Sequence, residues 1–174
     1  AMGQSSPAGS ASEARTMQGI IRHIQTNVFQ AGSQEVPDGD VLTENMLNWA
    51  LRQIWEKSCG NVDMIVAGGA QKRRINSFLE GSRWYGSEET RVRSGVQMYE
   101  SDFGVCRVIL SRWVPSGTIL LLDSSRISVL PLTGRSMHFK PLASSGDYER
   151  GELIGEYTLE LKNQQAHGII TGLV

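Results

Sequence analysis

Cysteine is scarce in this chain. Cys59 and Cys106 are the only two in 174 residues, they lie far apart, and neither has a second Cys or a His at metal-ligand spacing. That gives no support to a zinc site or a redox pair, and both are expected to be buried free thiols. Charge of one sign is also missing: 17 Lys+Arg stand against 18 Asp+Glu, a net charge of -1. No long-range field therefore draws the chain to nucleic acid or to an anionic membrane, and at most non-specific contact with DNA is expected. No apolar run approaches the roughly 20 residues that cross a bilayer, and the N-terminus has no basic-then-apolar signal pattern, so the expectation is a soluble, unexported chain with no membrane partner. Aromatics are few, four each of Trp, Tyr and Phe, whereas glycine is plentiful at 19. With many short Val/Ile/Leu runs, this fits a sheet-rich fold with tight turns. The length suits one ordinary domain better than two large ones.

Ala1 to Arg15 is almost free of large apolar side chains and rich in Ser, Ala and Gly, and is expected to be disordered because it cannot offset its ordering entropy. Its opening Ala-Met-Gly has the form of a protease scar followed by an initiator methionine. Order is expected from about Gly19, with Ile20, Ile21 and Ile24 as a short helical stripe. Ala31 to Asp40 is a loop by its Gly, Pro and Asp content. The strongest helix follows: Leu47, Ala50, Leu51, Ile54 and Trp55 recur at helical spacing, with Asn48, Arg52, Gln53 and Glu56 opposite. Thr43 is its expected N-cap and Gly60 its stop. Val62 to Ala67 is a short strand leading through Gly68-Gly69 into a second helix marked by Ile75, Phe78 and Leu79. Gly81 to Arg91 is expected to be a surface loop. Val96 to Tyr99 and Val105 to Leu110 read as a hairpin across Ser101 to Gly104, and Thr118 to Leu122 and Ile127 to Leu132 as further strands. Thr133 to Gly151 reads as a long loop. From Leu153 to Leu161 the alternation of Leu153, Tyr157, Leu159 and Leu161 with Glu156, Thr158, Glu160 and Lys162 predicts one strand with a buried apolar face. Ala166, Gly168 and Ile170 resume the alternation after a bend at Asn163 to Gln165.

The residues that could carry chemistry do not converge in sequence. IVAGGAQKRR (Ile65 to Arg74) runs from a strand through two glycines into a helix N-terminus, the geometry that binds phosphate. It lacks the Gly-Lys-Ser/Thr of a P-loop and the third glycine of a dinucleotide fingerprint, so it reads as a tight turn. Ile119 to Asp123 is an apolar strand ending in Asp, which without a P-loop reads as a strand and its turn. His23, His138 and His167 are scattered and are taken as surface or core residues. Lys72-Arg73-Arg74 reads as a solvated basic face. Composition and spacing thus give a soluble mixed α/β chain with no catalytic, cofactor-binding or metal-binding residues assigned, the pattern of a structural or assembly protein.

With these elements in order, the chain resembles the major capsid proteins of tailed bacteriophages, of the Hong Kong 97-type fold, and in particular their SU-ten-like branch. The stretches that carry the resemblance are LTENMLNWALRQIWEKSCG with VDMIVAGGAQKRRINSFL, then VQMYESDFGVCRVILSRWVPSGTILLLDSSRISVLPL, then SSGDYERGELIGEYTLELKNQQAHGIITGL. Ala67-Gly68-Gly69 departs from relatives that often carry Asn-Pro there, which bears on the turn and not on the class. The resemblance implies an α+β (mixed α/β) fold: after a tag or linker over residues 1–18, residues 19–174 form one capsid-like unit, an axial domain with the final strands of a peripheral domain. It implies a self-assembling shell subunit of a virion, assembled in the host cytoplasm, with further copies of itself and virion proteins such as the portal as partners, and with no enzyme activity and no cofactor. The family's N-terminal arm, extended loop and most of its spine helix are missing by this resemblance, which would make the chain a C-terminal portion. Arg83, Trp84, Tyr85, Arg91, Arg93 and Phe139, aromatics and arginines in two polar loops, are the candidate subunit-interface residues. Alternatives are an encapsulin-type nanocompartment shell, a nucleotide- or phosphate-binding enzyme using the Gly68-Gly69 turn, and a tail-associated binding module.

Overall fold

The computed structural model describes residues 10–13, 16–58, 60–78, 98–143 and 146–174. Its framework is a six-stranded mixed sheet in the order β1-β10-β5-β2-β4-β3. These strands are β1 (Val28–Gln30), β2 (Met64–Ala67), β3 (Met98–Ser101), β4 (Gly104–Leu110), β5 (Ile119–Leu122) and β10 (Gly168–Thr171). β1 runs parallel to β10 and β2 parallel to β4, and the other neighbours are antiparallel. Ile119–Leu122 is an unbroken apolar run because β5 is covered on both faces, and all four residues are buried.

One face of the sheet carries Ile65, Ala67, Cys106, Val108, Ile119, Leu121 and Ile170 and packs against helix α2 (Glu44–Lys57) and helix α3 (Gly69–Phe78). Helix α2 inserts Met46, Leu47, Ala50, Leu51 and Ile54, an i, i+3, i+4 stripe. Its expected cap is present: Thr43 Oγ1 accepts from the Met46 N–H at 3.1 Å. Trp55, expected in the stripe, is 59% exposed, because eight residues from Leu47 place it about 80° around the helix, at the rim of the packed face. There its ring meets Phe103 with centroids 6.0 Å apart. Gly60 is not the helix stop. Ser58 closes α2, its N–H and hydroxyl both bonding the Ile54 carbonyl. Gly60 instead lies flat against Ala166, where a Cβ would collide. Ile75 fixes α3 in the core; Leu79 lies outside the described residues.

The opposite face carries Val66, Leu120, Leu122 and Ile169, covered by Ile24, Val114 and the short helix α1 (Ile20–His23). Among the described residues this cover stops at β2. Over β4 and β3 the same face bears Met98, Glu100, Val105, Arg107 and Ile109, paired across the register Met98↔Arg107 and Glu100↔Val105, and these are exposed. The hairpin turns through Asp102-Phe103, with Ser101 opposite Gly104.

Between β5 and β10 the chain leaves the sheet as a long bent hairpin, and here three sequence expectations need correction. The expected loop Thr133 to Gly151 contains a strand, β7 (His138–Leu142), and the expected single strand Leu153 to Leu161 is two, β8 (Arg150–Ile154) and β9 (Tyr157–Leu161). β7 pairs with β8, while β9 pairs with β6 (Ile127–Pro131), so the hairpin consists of two successive antiparallel ribbons. At the elbow between them, Leu132 N–H donates to the Glu156 carbonyl at 2.9 Å and Glu156 N–H to the Arg135 carbonyl at 3.0 Å, which takes Gly155 and Glu156 out of either ladder. The expected buried face of Tyr157, Leu159 and Leu161 is only half-buried at Leu159 and Leu161, and Tyr157 is exposed. β1 was not anticipated; three residues carry too little periodicity to be read.

Candidate assembly surface

The bent hairpin is anchored by a polar hinge built from four separate stretches, around Asn27, Asn61 to Asp63, Asp123 to Arg126, and Gln165 to His167. Asp123 ends β5 and caps a 3-10 turn, Ser124–Arg126. Its carboxylate accepts from the Ser125 N–H at 3.1 Å, the Asn61 N–H at 3.2 Å and Arg126 Nε at 3.0 Å. Burial works against the charged form, but the bonds from Ser125, Asn61 and Arg126 outweigh it and hold the carboxyl below its ordinary range. Asp63 accepts from the Ser124 N–H at 2.7 Å and from the Ser124 hydroxyl. On the returning strand, His167 is fully buried and its Nδ1 accepts from the Asp123 N–H at 3.2 Å, which fixes the neutral tautomer with its proton on Nε2. Burial lowers the imidazole from its ordinary value, opposed by the Lys162 carbonyl and the Asp123 carboxylate and assisted by Arg126. Asn27 completes the hinge, donating to the carbonyls of Gln165 at 2.7 Å and His167 at 2.9 Å. The hinge sets the direction in which the hairpin leaves the sheet.

The inner ribbon presents Ile127, Val129 and Pro131 opposite Leu161, Leu159 and Tyr157 on one face. Ile127 and Leu161, like Ile20 and Ile21, are partly buried against the core cluster of Ile24, Val66, Leu120 and Leu122, and Val129 is open to solvent. Beside its outer end lies an open groove of about 870 Å³ bordered by Met17, His23, Leu130, Leu132 and Tyr157. The Tyr157 hydroxyl accepts from the Met137 N–H at 2.9 Å, and Arg135 pairs with Glu156, bracing the elbow.

The outer ribbon is amphipathic by strand alternation. Phe139 faces Leu153, and Pro141 faces Gly151, on one side; Lys140 pairs with Glu152 at 3.4 Å on the other. The Phe139 ring lies over Gly151, in the space a Cβ would need. Phe139 is 64% exposed and Leu153 is 73% exposed. Two-stranded ribbons are marginal in water without a covered face, so this surface has the chemistry of a contact region.

Of the candidate interface residues, Phe139 sits on this apolar ribbon face. Arg83, Trp84, Tyr85, Arg91 and Arg93 lie outside the described residues. The glycine turn Gly68-Gly69 opens helix α3, and the nearby Lys72 turns back onto the sheet, donating to the Val108 carbonyl at 3.0 Å. His23 is half-buried and His138 is exposed, its Nδ1 2.7 Å from the Ser136 carbonyl. Cys106 is buried and free, donating to the Val62 carbonyl at 3.2 Å; burial pushes its thiol up to about 11, with Asp63 adding to the effect. Cys59 is outside the described residues. Among the described residues no group of three His, Cys, Asp or Glu is placed to hold a metal ion, and no helix is long and apolar enough to cross a membrane. The hinge was missed by sequence reasoning, since Asn27, Asp63, Asp123 and His167 meet only in space.

No curated protein matches the chain significantly. Among solved structures, the holo-SrpI encapsulin complex from Synechococcus elongatus PCC 7942 is similar at TM-score 0.55 and 15% identity, covering 90% of this chain and 56% of its own. A virus-like particle from Pyrococcus furiosus gives TM-score 0.45 and 15% identity, covering 87% of this chain and 58% of its own. The chain thus spans little more than half the length of either structure. The likeness to the first is one of fold: mixed helix and sheet in the Hong Kong 97-type arrangement of capsid and encapsulin shells. A family profile described as SU10 major capsid protein matches residues 1–174. The chain belongs to the SU10 major capsid protein family.

Proposed function

We propose that the protein is a structural subunit of an icosahedral bacteriophage capsid, assembling with copies of itself into the shell that encloses the genome. The observation that carries this reading is the combination of a sheet filled on its central strands with a hinged hairpin whose outer face displays Phe139 and Leu153 to solvent, in a chain of the SU10 capsid family. A side-chain arrangement of that kind serves contact between molecules better than catalysis within one. Residues 19–174 are read as an axial domain, the six-stranded sheet with α2 and α3, plus a part of the peripheral domain, the bent hairpin. The portal, and packaged DNA through non-specific contacts, are the further partners of this reading, and assembly takes place in the host cytoplasm. The family match favours a viral capsid over the encapsulin role of the solved neighbour.

The test is expression of the complete gene product followed by light scattering and negative-stain microscopy. Closed shells of uniform size are expected. A monodisperse monomer, or open tubes and caps, would sink the reading. This chain by itself is expected to be monomeric or weakly associated, and a stable pentamer or hexamer would overturn that part.

A further inference from the structure

The Asp123 hinge holds one contact whose chemistry depends on a proton. On its far side the two legs of the bent hairpin are laddered from Ile127↔Leu161 outward, and on its near side they enter the sheet at Leu121↔Gly168. Between those ladders the legs are joined by the Lys162 N–H, which donates to the Arg126 carbonyl at 2.8 Å, and by the Asp123 N–H, which donates to His167 Nδ1 at 3.2 Å. Asp123 is where the chain leaves the sheet and His167 is where it returns, so the second bond clasps the base of the hairpin. His167 is fully buried, and bulk water does not stand in for that bond. The titratable groups on the elements packed about the ring can be named. Asp123 ends β5, Arg126 lies in the 3-10 turn that follows, and Asp63, before β2, is turned onto Ser124. Lys162, after β9, has its ammonium 3.4 Å from Glu160. Lys57, at the end of α2, lies over the Phe29 ring at 6.0 Å, and α1 carries Arg22 and His23. Of these, Asp123 attracts a charged imidazole and Arg126 repels it.

We propose that His167 is a proton-operated latch: the neutral ring holds the hairpin in one direction relative to the sheet, and the protonated ring releases it while the sheet stays folded. The neutral ring accepts through the lone pair on Nδ1, and a proton taken there turns that acceptor into a donor facing the Asp123 N–H. Two donors cannot share the contact, so the imidazolium turns away or the strand end moves. The Asp123 carboxylate is the counter-charge available to it, but its oxygens already accept from the N–H groups of Asn61 and Ser125 and from Arg126 Nε. Pairing with the imidazolium draws on those bonds and loosens the 3-10 turn from which the hairpin departs. The sheet is held by other means: β2, β5 and β10 are laddered together and filled by Ile65, Leu120, Leu121 and Ile170, none of which titrates. The released state binds the proton at an ordinary imidazole value and the latched state resists it. The ratio of released to latched chains therefore rises by up to about tenfold for each pH unit below about 6.5, until the latched ring is protonated too. The device lies within one chain and does not depend on the shell reading.

The test lowers the pH of this chain from about 7.5 to the onset of global unfolding, which far-UV circular dichroism marks. Nitrogen NMR of the His167 ring reports its tautomer and the uptake of its proton. Amide exchange, corrected for the intrinsic rate at each pH, reads hinge and sheet separately. Protection at Asp123 and Ser125 is expected to fall at least about tenfold as His167 titrates, while protection at Leu120 and Ile170 stays within about twofold. The direction of the hairpin is read by spin labels. In a Cys59→Ser background, nitroxides at Val129→Cys on the inner ribbon and Arg107→Cys on the sheet, both exposed, are expected to give a distance distribution that widens at least about twofold over the same range. In His167→Asn both readings are expected to stay flat. Four results would overturn the latch: a ring that stays neutral until the chain unfolds, a ring that takes up its proton with hinge protection and label distance unchanged, hinge and sheet losing protection together, or His167→Asn responding like the parent. Should His167→Asn fail to fold, the parent's hinge and sheet readings decide the matter.

Discussion

Replacing Asp123 by alanine removes the group on which the hinge converges. Its carboxylate accepts from two backbone N–H groups, Asn61 and Ser125, from the Ser125 hydroxyl, and from Arg126 Nε at 3.0 Å. The side chain is 7% exposed, so water cannot replace these bonds freely. The cap on the 3-10 turn is worth about 1 kcal/mol, and the charge-assisted bond to Arg126 about 1.5–3 kcal/mol. Asp123→Ala is therefore expected to cost about 3 kcal/mol. For a chain of this size that lowers the melting temperature by about 6–12 °C. Asp123→Asn keeps the volume and one acceptor oxygen and is expected to lose about half as much. Urea titration at neutral pH, followed by far-UV circular dichroism, measures both, with an unchanged m-value if the folded state keeps its compactness. A loss below about 1 kcal/mol for the alanine variant would refute the claim that the hinge is held by this carboxylate.

Three further outcomes are expected. Because His167 is neutral in the fold and its imidazole lies below its ordinary value, the unfolded chain binds the proton more readily. Its contribution is therefore full above about pH 6.5 and is lost as pH falls from there through the lower folded value. The melting temperature should fall as pH drops below about 6.5 in the parent and less steeply in His167→Asn, whose side-chain oxygen can take the place of Nδ1; parallel pH profiles would contradict this. Gly60→Ala forces a methyl against Ala166 and is expected to cost about 1–3 kcal/mol, whereas a neutral or stabilising result in urea titration would show that no such close approach exists. Cys106, buried and with its thiol raised to about 11, is expected to resist a thiol-specific disulfide reagent at pH 8 in the folded Cys59→Ser chain and to react within minutes in denaturant. Full labelling of the folded protein would refute its burial.

The parts of the fold that could be read from sequence are those where one residue period governs a whole element. Helix α2 was legible because Met46 to Ile54 keep one stripe, and β5 because a four-residue apolar run has room for nothing else. The hairpin was half legible for an instructive reason. The break at Gly155-Glu156 is two residues long, and two is the period of a strand, so alternation passes from Leu153 to Tyr157 as if the strand were continuous while the chain changes partner from β7 to β6. β7 was hidden because it contains Pro141, the fourth of its five residues, which argues against a strand in a ladder that needs every N–H; the open edge of a two-stranded ribbon tolerates it. Phe139 stood out as an aromatic residue among polar ones, and it is exposed. The joint role of Asp63, Asp123 and His167 gave no such signal, because residues far apart in the chain meet only when β2, β5 and β10 lie side by side. The family, by contrast, was legible from the order and spacing of segments that are individually weak, and the profile match over residues 1–174 agrees with it.

The central claim is that this chain is the repeating unit of a closed shell, and a cryo-electron microscopy reconstruction of the complete gene product after expression tests it most directly. The account predicts an icosahedral map whose asymmetric unit holds the six-stranded sheet, with the bent hairpin running from the Asp123 hinge toward a neighbouring copy. Discrete monomers, or a closed shell whose density has no place for that sheet and hairpin, would contradict it.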